Sequence, residues 1–224
     1  MENMAEDKSV SMPRNSRLWF EASLLYVAAP VVMAVFLPAN WLFLMLFIVM
    51  AIGLILLWRT PGVRLSDLLR GFGRIDWKTT CVFTAVTAII CYMVVMAYEP
   101  DSAFRLLREN PPLLLIIAIL YPILSALPQE IIYRPLFFHR YGGLISSANQ
   151  AVFVNAALFS LAHLMYWNLV VAAMTFCGGL IFAGVYSKTG NFPMVVLLHA
   201  IAGNLIFAFG LGIYFYSDMV VRPF

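Results

Sequence analysis

Four ionisable residues lie inside long apolar runs of this sequence and are the first candidates for chemistry. They are Glu130 and Arg134 in "LPQEIIYRPLFF", His163 in "ALFSLAHLMYW" and His199 in "VLLHAIAGN". Most other charged residues fall in polar stretches, with Glu21 near the end of an apolar run as an exception. Ionisable side chains are costly in apolar surroundings and usually face a cavity or a partner. These four residues therefore mark a candidate functional site.

Two imidazoles and a carboxylate are the ligand types of a catalytic zinc ion, with a water molecule completing its coordination. Such an ion makes hydroxide available near neutral pH, and a nearby carboxylate can act as general base. The sequence therefore predicts a metal site formed by Glu130, His163 and His199.

Two plainer interpretations stay open. Glu130 and Arg134 are four residues apart and can form a purely structural pair. Each histidine can also serve only as a hydrogen-bonding group between helices.

The elements that carry these residues are predicted to be membrane helices. The chain is 63% apolar and only 11% charged, whereas a soluble domain is about 25% charged. A bilayer span needs about 20 apolar residues. The sequence predicts an all-α fold, a polytopic membrane helix bundle of about seven transmembrane helices. Their predicted ranges are 18–37, 41–58, 80–98, 113–138, 148–166, 169–186 and 192–215.

The distribution of basic residues predicts the orientation of this bundle. Arginine and lysine concentrate in the N-terminal tail and in the loop after the second span, and both lie on one side if seven spans alternate. The positive-inside rule then predicts a cytoplasmic N-terminus, and we expect an integral protein of a bacterial inner membrane. Four segments follow: a cytoplasmic tail 1–17, N-terminal spans and a cytoplasmic loop 18–111, a core 112–216 and a tail 217–224.

The composition also limits the partners and the role of the cysteines. A net charge of +3 concentrated in loops indicates a lipid bilayer as partner and no nucleic acid. The three cysteines lie in apolar spans without a CxxC spacing, so they are interpreted as small core residues and not as metal ligands. They are Cys81, Cys91 and Cys177.

Three motifs in the second half of the chain resemble those of a known family. "QEIIYR" is similar to the motif EExxxR, "FSLAH" matches FxxxH, and "HAIAGN" resembles HxxxN. Their order on successive late spans resembles the CAAX protease and bacteriocin-processing (CPBP, or Abi) family of intramembrane metalloproteases. The resemblance covers residues 113–215 approximately. It implies a peptide or membrane-protein substrate, cleaved by a glutamate-activated water, with a divalent metal ion such as zinc.

The resemblance also implies a role for each matched residue. Glu130 is expected as base or ligand and Arg134 as the structural partner that holds it. His163 and His199 are expected to bind the metal ion or the transition state, and Asn204 to donate a hydrogen bond to the oxyanion. All three of Glu130, His163 and His199 are thus candidate metal ligands, and the catalytic set is Glu130, His163, His199 and Asn204.

The sequence departs from the family motifs at three positions. Gln129 replaces the first glutamate, the usual water-activating base, and an amide cannot accept a proton under normal conditions. In the family motif HxxxN the asparagine follows the histidine by four residues, which is the position of Gly203 here. Asn204 lies five residues after His199. Five residues rotate by about 140° in a regular helix, so a π-bulge near Gly203 is needed to bring Asn204 back to the site. Pro135 replaces a glycine and predicts a kinked span that lines a cavity or is buried in protein.

Two functions follow from these motifs and departures. The first is an active endopeptidase of the CPBP type. The alternative is a catalytically degraded member that acts as a peptide-binding, bacteriocin-immunity or scaffold protein. Straight helices, at about 1.5 Å per residue, place Glu130 and His163 about 21 and 28 Å, and His199 about 13 Å, from the nearest turns between spans. This spread is mild evidence against a compact site.

Overall fold

A computed structural model describes residues 14–215, and within them seven apolar helices follow one another. We label them α1 (Asn15–Phe36), α2 (Leu42–Trp58), α3 (Trp77–Tyr98), α4 (Pro111–Leu144), α5 (Ala148–Tyr166), α6 (Leu169–Thr189) and α7 (Phe192–Phe209). Six are long and apolar enough to cross a membrane, and α2 is shorter at 17 residues. The described residues contain no strand. The predicted all-α membrane bundle is confirmed.

Short helical turns connect these elements. They are the 3-10 helices Ala39–Trp41, Leu65–Leu69, Phe72–Arg74 and Pro100–Ser102, and the α-helices Arg105–Glu109 and Gly212–Phe215. The last predicted span was too long: α7 ends at Phe209 because Gly210, at φ 97°, breaks the helix in the left-handed region. The predicted tail 217–224 and most of the tail 1–17 lie outside the described residues.

Helix α4 is the most irregular element and carries the whole first motif, residues 129–134. It alternates between α-helical segments, Pro111–Tyr121 and Leu127–Ile131, and π-helical segments, Pro122–Ala126 and Ile132–Tyr141, before the 3-10 turn Gly142–Leu144. Proline cannot donate the backbone hydrogen bond that a regular helix needs, and Pro122, Pro128 and Pro135 supply three such interruptions. The predicted distortion of this span is confirmed.

Side chains from neighbouring helices bond carbonyls of the distorted segment. The Tyr26 hydroxyl of α1 donates to the Ile132 carbonyl over 2.7 Å, and the Asn155 amide of α5 donates to the Tyr133 carbonyl over 2.7 Å. Tyr26 and Asn155 are both fully buried. The carbonyls are therefore satisfied inside the protein, which is the condition for irregular backbone at membrane depth.

Two contacts fix the ends of the helices that matter most for the site. Asn191 caps α7 by accepting from the Met194 amide, and its own amide donates to the Gly71 and Arg74 carbonyls. The loop between α2 and α3 thus carries a pair of 3-10 turns, Leu65–Leu69 and Phe72–Arg74, docked on the start of α7. At the end of α4, Arg140 forms an ion pair with Glu21 of α1.

The cysteines differ from one another in burial. Cys91 is fully buried in a small cluster with Val95 and Leu211. Cys81 and Cys177 are exposed on the helix surface, so only Cys91 is a core residue as predicted. All three are free thiols.

Candidate active site

Glu130 is the centre of the polar cluster inside the bundle. Its side chain is completely buried. One carboxylate oxygen, Oε2, accepts from Arg134 Nε over 2.7 Å, and the other, Oε1, lies 2.9 Å from His199 Nδ1. The sequence-predicted pair of Glu130 and Arg134 is confirmed, and it is joined to His199 across 69 residues of chain. The contact with His199 shows that the depth estimate from straight helices was wrong for this pair.

Arg134 is held from several sides, which fixes the carboxylate in turn. It is fully buried, and its second nitrogen donates to the side-chain oxygen of Asn155 on α5. Its guanidinium also lies over the rings of Phe159 and Phe182, at 5.1 and 5.8 Å from their centroids. The positive charge of Arg134 therefore compensates the buried carboxylate, and the pair cannot rotate independently of α5 and α6.

Asn155 is a residue of the cluster that the sequence motifs missed. It lies four residues before Phe159 and eight before His163, so all three start from one face of α5. It accepts from Arg134 and donates to the Tyr133 carbonyl, which joins the first motif to the second. The sequence feature that could have indicated Asn155 is its position inside an apolar span, four residues before the first residue of the FxxxH motif.

His199 connects Glu130 to the cavity of the bundle. Its ring stacks on Phe182, with 5.2 Å between centroids and an angle of 18°. A carboxylate oxygen only accepts, so Nδ1–H of His199 donates to Glu130. In the neutral ring Nε2 is then an acceptor, and the Tyr121 hydroxyl, 3.1 Å away, donates to it. His199 therefore links the Glu130 carboxylate to the Tyr121 hydroxyl.

His163 lies where the regular part of α5 ends, in the turn that follows Leu161. Its Nδ1–H donates to the Phe159 carbonyl over 2.8 Å. The Phe159 ring contacts both histidines, with centroids 4.8 Å from His163 and 5.6 Å from His199. The two histidines are therefore neighbours of one phenylalanine, and only His199 bonds Glu130.

The predicted metal ligands do not converge on one point. Among residues 14–215, no three side chains of His, Cys, Asp or Glu are grouped so that they could hold a metal ion. Both oxygens of Glu130 are engaged by Arg134 and His199. The arrangement of Glu130, His163 and His199 therefore does not fit a three-ligand metal centre.

Gln129 and Asn204, the two departures from the motif, occupy different surroundings. Gln129 lines the cavity, and its amide donates to the Ser125 hydroxyl over 3.0 Å. Asn204 points toward α4, where its amide donates to the Ala118 carbonyl over 3.3 Å. Helix α7 is a regular α-helix throughout, so the π-bulge that would have turned Asn204 toward His199 does not form.

A cavity of about 250 Å³ opens beside these side chains. Its polar wall includes Tyr121, Ser125 and Gln129 of α4, together with His163 and His199. The remaining wall is mostly apolar and comes from the other helices, with Met33, Leu46, Phe83, Ile90, Met174 and Phe207 among its residues. The cavity can therefore hold an apolar group next to a small number of proton-transferring side chains.

The comparison with protein families agrees with this site. Residues 111–215 match the family model described as type II CAAX prenyl endopeptidase Rce1-like. The match runs from the first residue of α4 to the end of the described chain and includes every polar residue of the cluster. It agrees with the resemblance noted in the sequence: residues 111–215 are similar to this family of membrane proteases. Searches of curated proteins and of solved structures gave no match.

Proposed function

We propose that this protein is an intramembrane endopeptidase that cleaves a membrane-proximal peptide bond. The observation that supports it best is the buried pair of Glu130 and His199, whose second ring nitrogen lies at an apolar cavity. A carboxylate behind an imidazole fixes the ring tautomer and stabilises its protonated form, which is the arrangement of a general base. The Rce1-like match of residues 111–215 supports the same class.

The proposed reaction begins with a water molecule between His199 and the substrate carbonyl. The Tyr121 hydroxyl, which bonds Nε2 of His199 in the resting site, turns away from it. Nε2 then takes a proton from the water as the water oxygen forms a bond to the carbonyl carbon. Glu130 stabilises the resulting imidazolium. The same proton then passes to the departing amine nitrogen as the carbon–nitrogen bond breaks, which leaves a carboxylic acid and an amine.

Glu130 has a different role here from the one that the sequence predicted. As a direct base it would need a carboxylate oxygen facing water. Both of its oxygens instead bond Arg134 and His199. We therefore assign Glu130 to orienting and polarising His199, and place Arg134 and Asn155 behind it as positioning residues. A divalent metal ion stays a prediction from the sequence, and no step of the proposed reaction uses one.

The proposed substrate is a peptide that carries an apolar group or enters from an apolar segment. The walls of the cavity are mostly apolar. The family description names CAAX prenyl endopeptidases, and a prenylated C-terminal peptide combines a long apolar chain with a nearby peptide bond. Such a peptide is the first substrate to test.

A peptide-binding protein without catalysis is the second candidate function. It is favoured by one observation: Gln129 occupies the position where the motif has a glutamate, and its amide is held by Ser125. This candidate keeps the cavity and the buried pair but predicts no bond cleavage.

The experiment that separates the two is a cleavage assay with purified protein in lipid vesicles. Prenylated and unprenylated forms of one peptide are incubated with wild-type protein, and products are identified by mass spectrometry. We expect a single cleavage of the prenylated peptide that is lost in Glu130→Ala, Glu130→Gln and His199→Ala. Binding of the peptide without any cleavage would establish the second candidate in place of the first.

A further inference from the structure

We infer that Tyr121 is a catalytic residue of this site, whose hydroxyl donates a hydrogen bond to the carbonyl oxygen of the scissile bond. The inference rests on the proposed endopeptidase function and adds a residue outside the three sequence motifs. Tyr121 ends the first α-helical segment of α4, immediately before the π-helical segment at Pro122.

The position of Tyr121 is defined by His199 and the cavity. Its hydroxyl is 3.1 Å from His199 Nε2, the atom that we assign as base. Its ring meets that of His199 edge-on, with centroids 6.0 Å apart, and packs on Phe207 at 5.9 Å. Tyr121 also lines the cavity together with Ser125 and Gln129, which follow it at four-residue spacing. The hydroxyl is thus beside both the base and the space for substrate.

Gly203 makes this position possible. A Cβ atom added at Gly203 would lie 2.0 Å from a ring carbon of Tyr121 and 2.5 Å from its hydroxyl oxygen. The tyrosine ring therefore lies directly against the backbone of α7, one helical turn after His199. A larger side chain at position 203 would overlap the ring of Tyr121 in its present position.

The same geometry explains why Asn204 is an unsuitable donor. Asn204 is directed to the Ala118 carbonyl on α4, and α7 has no distortion that would redirect it. The face of α7 that follows His199 toward the cavity presents a glycine, and the phenol of Tyr121 fills the space above it. The tyrosine from α4 thus provides a polar group where α7 provides none.

The Tyr121 hydroxyl exchanges one acceptor for another when substrate enters the cavity. In the resting state the tyrosine O–H donates to Nε2. Nε2 has a single lone pair, so it takes a proton from water only after this O–H has turned to the substrate carbonyl oxygen. That oxygen gains negative charge as water attacks the carbonyl carbon. The hydrogen bond from Tyr121 therefore strengthens as the oxyanion forms, which stabilises the transition state over the bound substrate.

The test compares Tyr121→Phe with Tyr186→Phe in the vesicle assay, with kcat and KM measured for each. Tyr186 is a matched control because its hydroxyl also bonds a histidine, His139 over 3.3 Å, and it does not line the cavity. We expect Tyr121→Phe to lower kcat by about 10²-fold or more, the usual effect of removing one oxyanion donor, with KM changed by less than about threefold. Tyr186→Phe should retain wild-type kcat within about twofold.

Gly203→Ala provides a second, independent variant. The added methyl group displaces the Tyr121 ring, so we expect it to lower kcat by a similar factor. The double variant Gly203→Ala with Tyr121→Phe should be no slower than the slower single variant, since both remove one hydrogen bond. Thermal unfolding of each variant in detergent shows whether the fold is retained.

The outcomes separate this inference from the proposed function. Cleavage by wild-type protein with kcat unchanged in Tyr121→Phe overturns the role of Tyr121 alone and leaves the endopeptidase in place. A loss confined to KM also overturns it, because it indicates substrate binding instead of transition-state stabilisation. Absence of cleavage by wild-type protein across the peptide panel overturns both.

Discussion

The two histidines of the site line the same cavity but have very different surroundings. His199, in the middle of a regular helix, bonds a buried carboxylate through one nitrogen and a tyrosine hydroxyl through the other. His163, in a turn at the end of α5, bonds a backbone carbonyl four residues earlier. The sequence motifs treat the two as equivalent ligands. The contacts assign only His199 to a chain of proton-carrying groups.

The difference shows what a buried histidine needs in order to act as a base. A carboxylate partner stabilises the protonated ring, and in a low-dielectric interior that partner must itself be balanced by a positive charge. Arg134 supplies this charge for Glu130, and Asn155 holds Arg134 in place. His163 bonds a neutral backbone carbonyl where His199 bonds a carboxylate. Substitutions around His199 and around His163 should therefore have different effects on cleavage.

Removing the charged partner of His199 should have the largest effect. We expect Glu130→Gln and His199→Ala each to lower kcat by about 10³-fold, within the usual contribution of a general base. Glu21→Gln is a suitable control, because Glu21 also pairs with an arginine, Arg140, away from the cavity. It should retain activity within about twofold. A Glu130→Gln protein that cleaves at the wild-type rate would contradict the assigned pair.

His163→Ala should reduce activity much less than His199→Ala. We expect a loss of about tenfold in kcat/KM, since His163 lines the cavity but is not the proposed proton acceptor. The measurement is the same cleavage assay at several substrate concentrations. Equal losses in the two variants would instead support the metal site that the sequence predicted, because ligands of one ion act as a unit.

Gln129→Glu tests whether the base belongs to the preceding residue. With His199 as base, the new carboxylate accepts from Ser125 and changes kcat by less than about fivefold, far below the contribution of a general base. The assay needs a wild-type rate above background for comparison. A rise from no detectable cleavage to clear activity would show that the natural protein is the degraded form.

Metal removal tests the same comparison without a mutation. The side chains of Glu130, His163 and His199 do not converge as three ligands, so we expect a chelator to change kcat by less than about twofold. Metal content of the purified protein, measured by mass spectrometry, provides an independent readout. Complete inactivation that added zinc reverses would show that the helices rearrange to bind the ion.

Asn204→Leu should have the smallest effect of all. The variant loses a 3.3 Å bond to Ala118 but also removes a buried side-chain oxygen that has no partner among the described residues. These contributions oppose each other, so the free energy of unfolding should change by less than about 1 kcal/mol. We expect the cleavage rate to change by less than about twofold. Unfolding in mixed micelles measures the first effect, and the cleavage assay measures the second. A loss of about 10²-fold would return the oxyanion role to Asn204.

The local features of the site were predictable because they depend on short spacings. Glu130 and Arg134 pair at four-residue spacing, and the prolines of α4 distort it as expected. The contact between Glu130 and His199 was anticipated only as a shared site and was contradicted by depths counted along straight helices. Two π-helical segments in α4 change the rotation and rise of that helix, so such a count does not apply to it.

Tyr121 and Asn155 were missed for another reason. Tyrosine is common near the ends of membrane helices, and asparagine in a span has many structural uses. Neither residue carries a motif, and each acts through a partner on another helix: Tyr121 through His199 and Asn155 through Arg134. Such partners are 78 and 21 residues away along the chain.

The sequence by itself determined the apolar helices, their order, the buried ion pair and the family resemblance, because hydropathy and spacings of three or four residues act locally. Only the tertiary structure decided which histidine meets Glu130, that Tyr121 lies over Gly203, and that Asn204 faces away. These outcomes depend on how far each helix is rotated about its axis. In this bundle the rotation is set by the distorted backbone of α4 and by close packing against α7, neither of which a motif records.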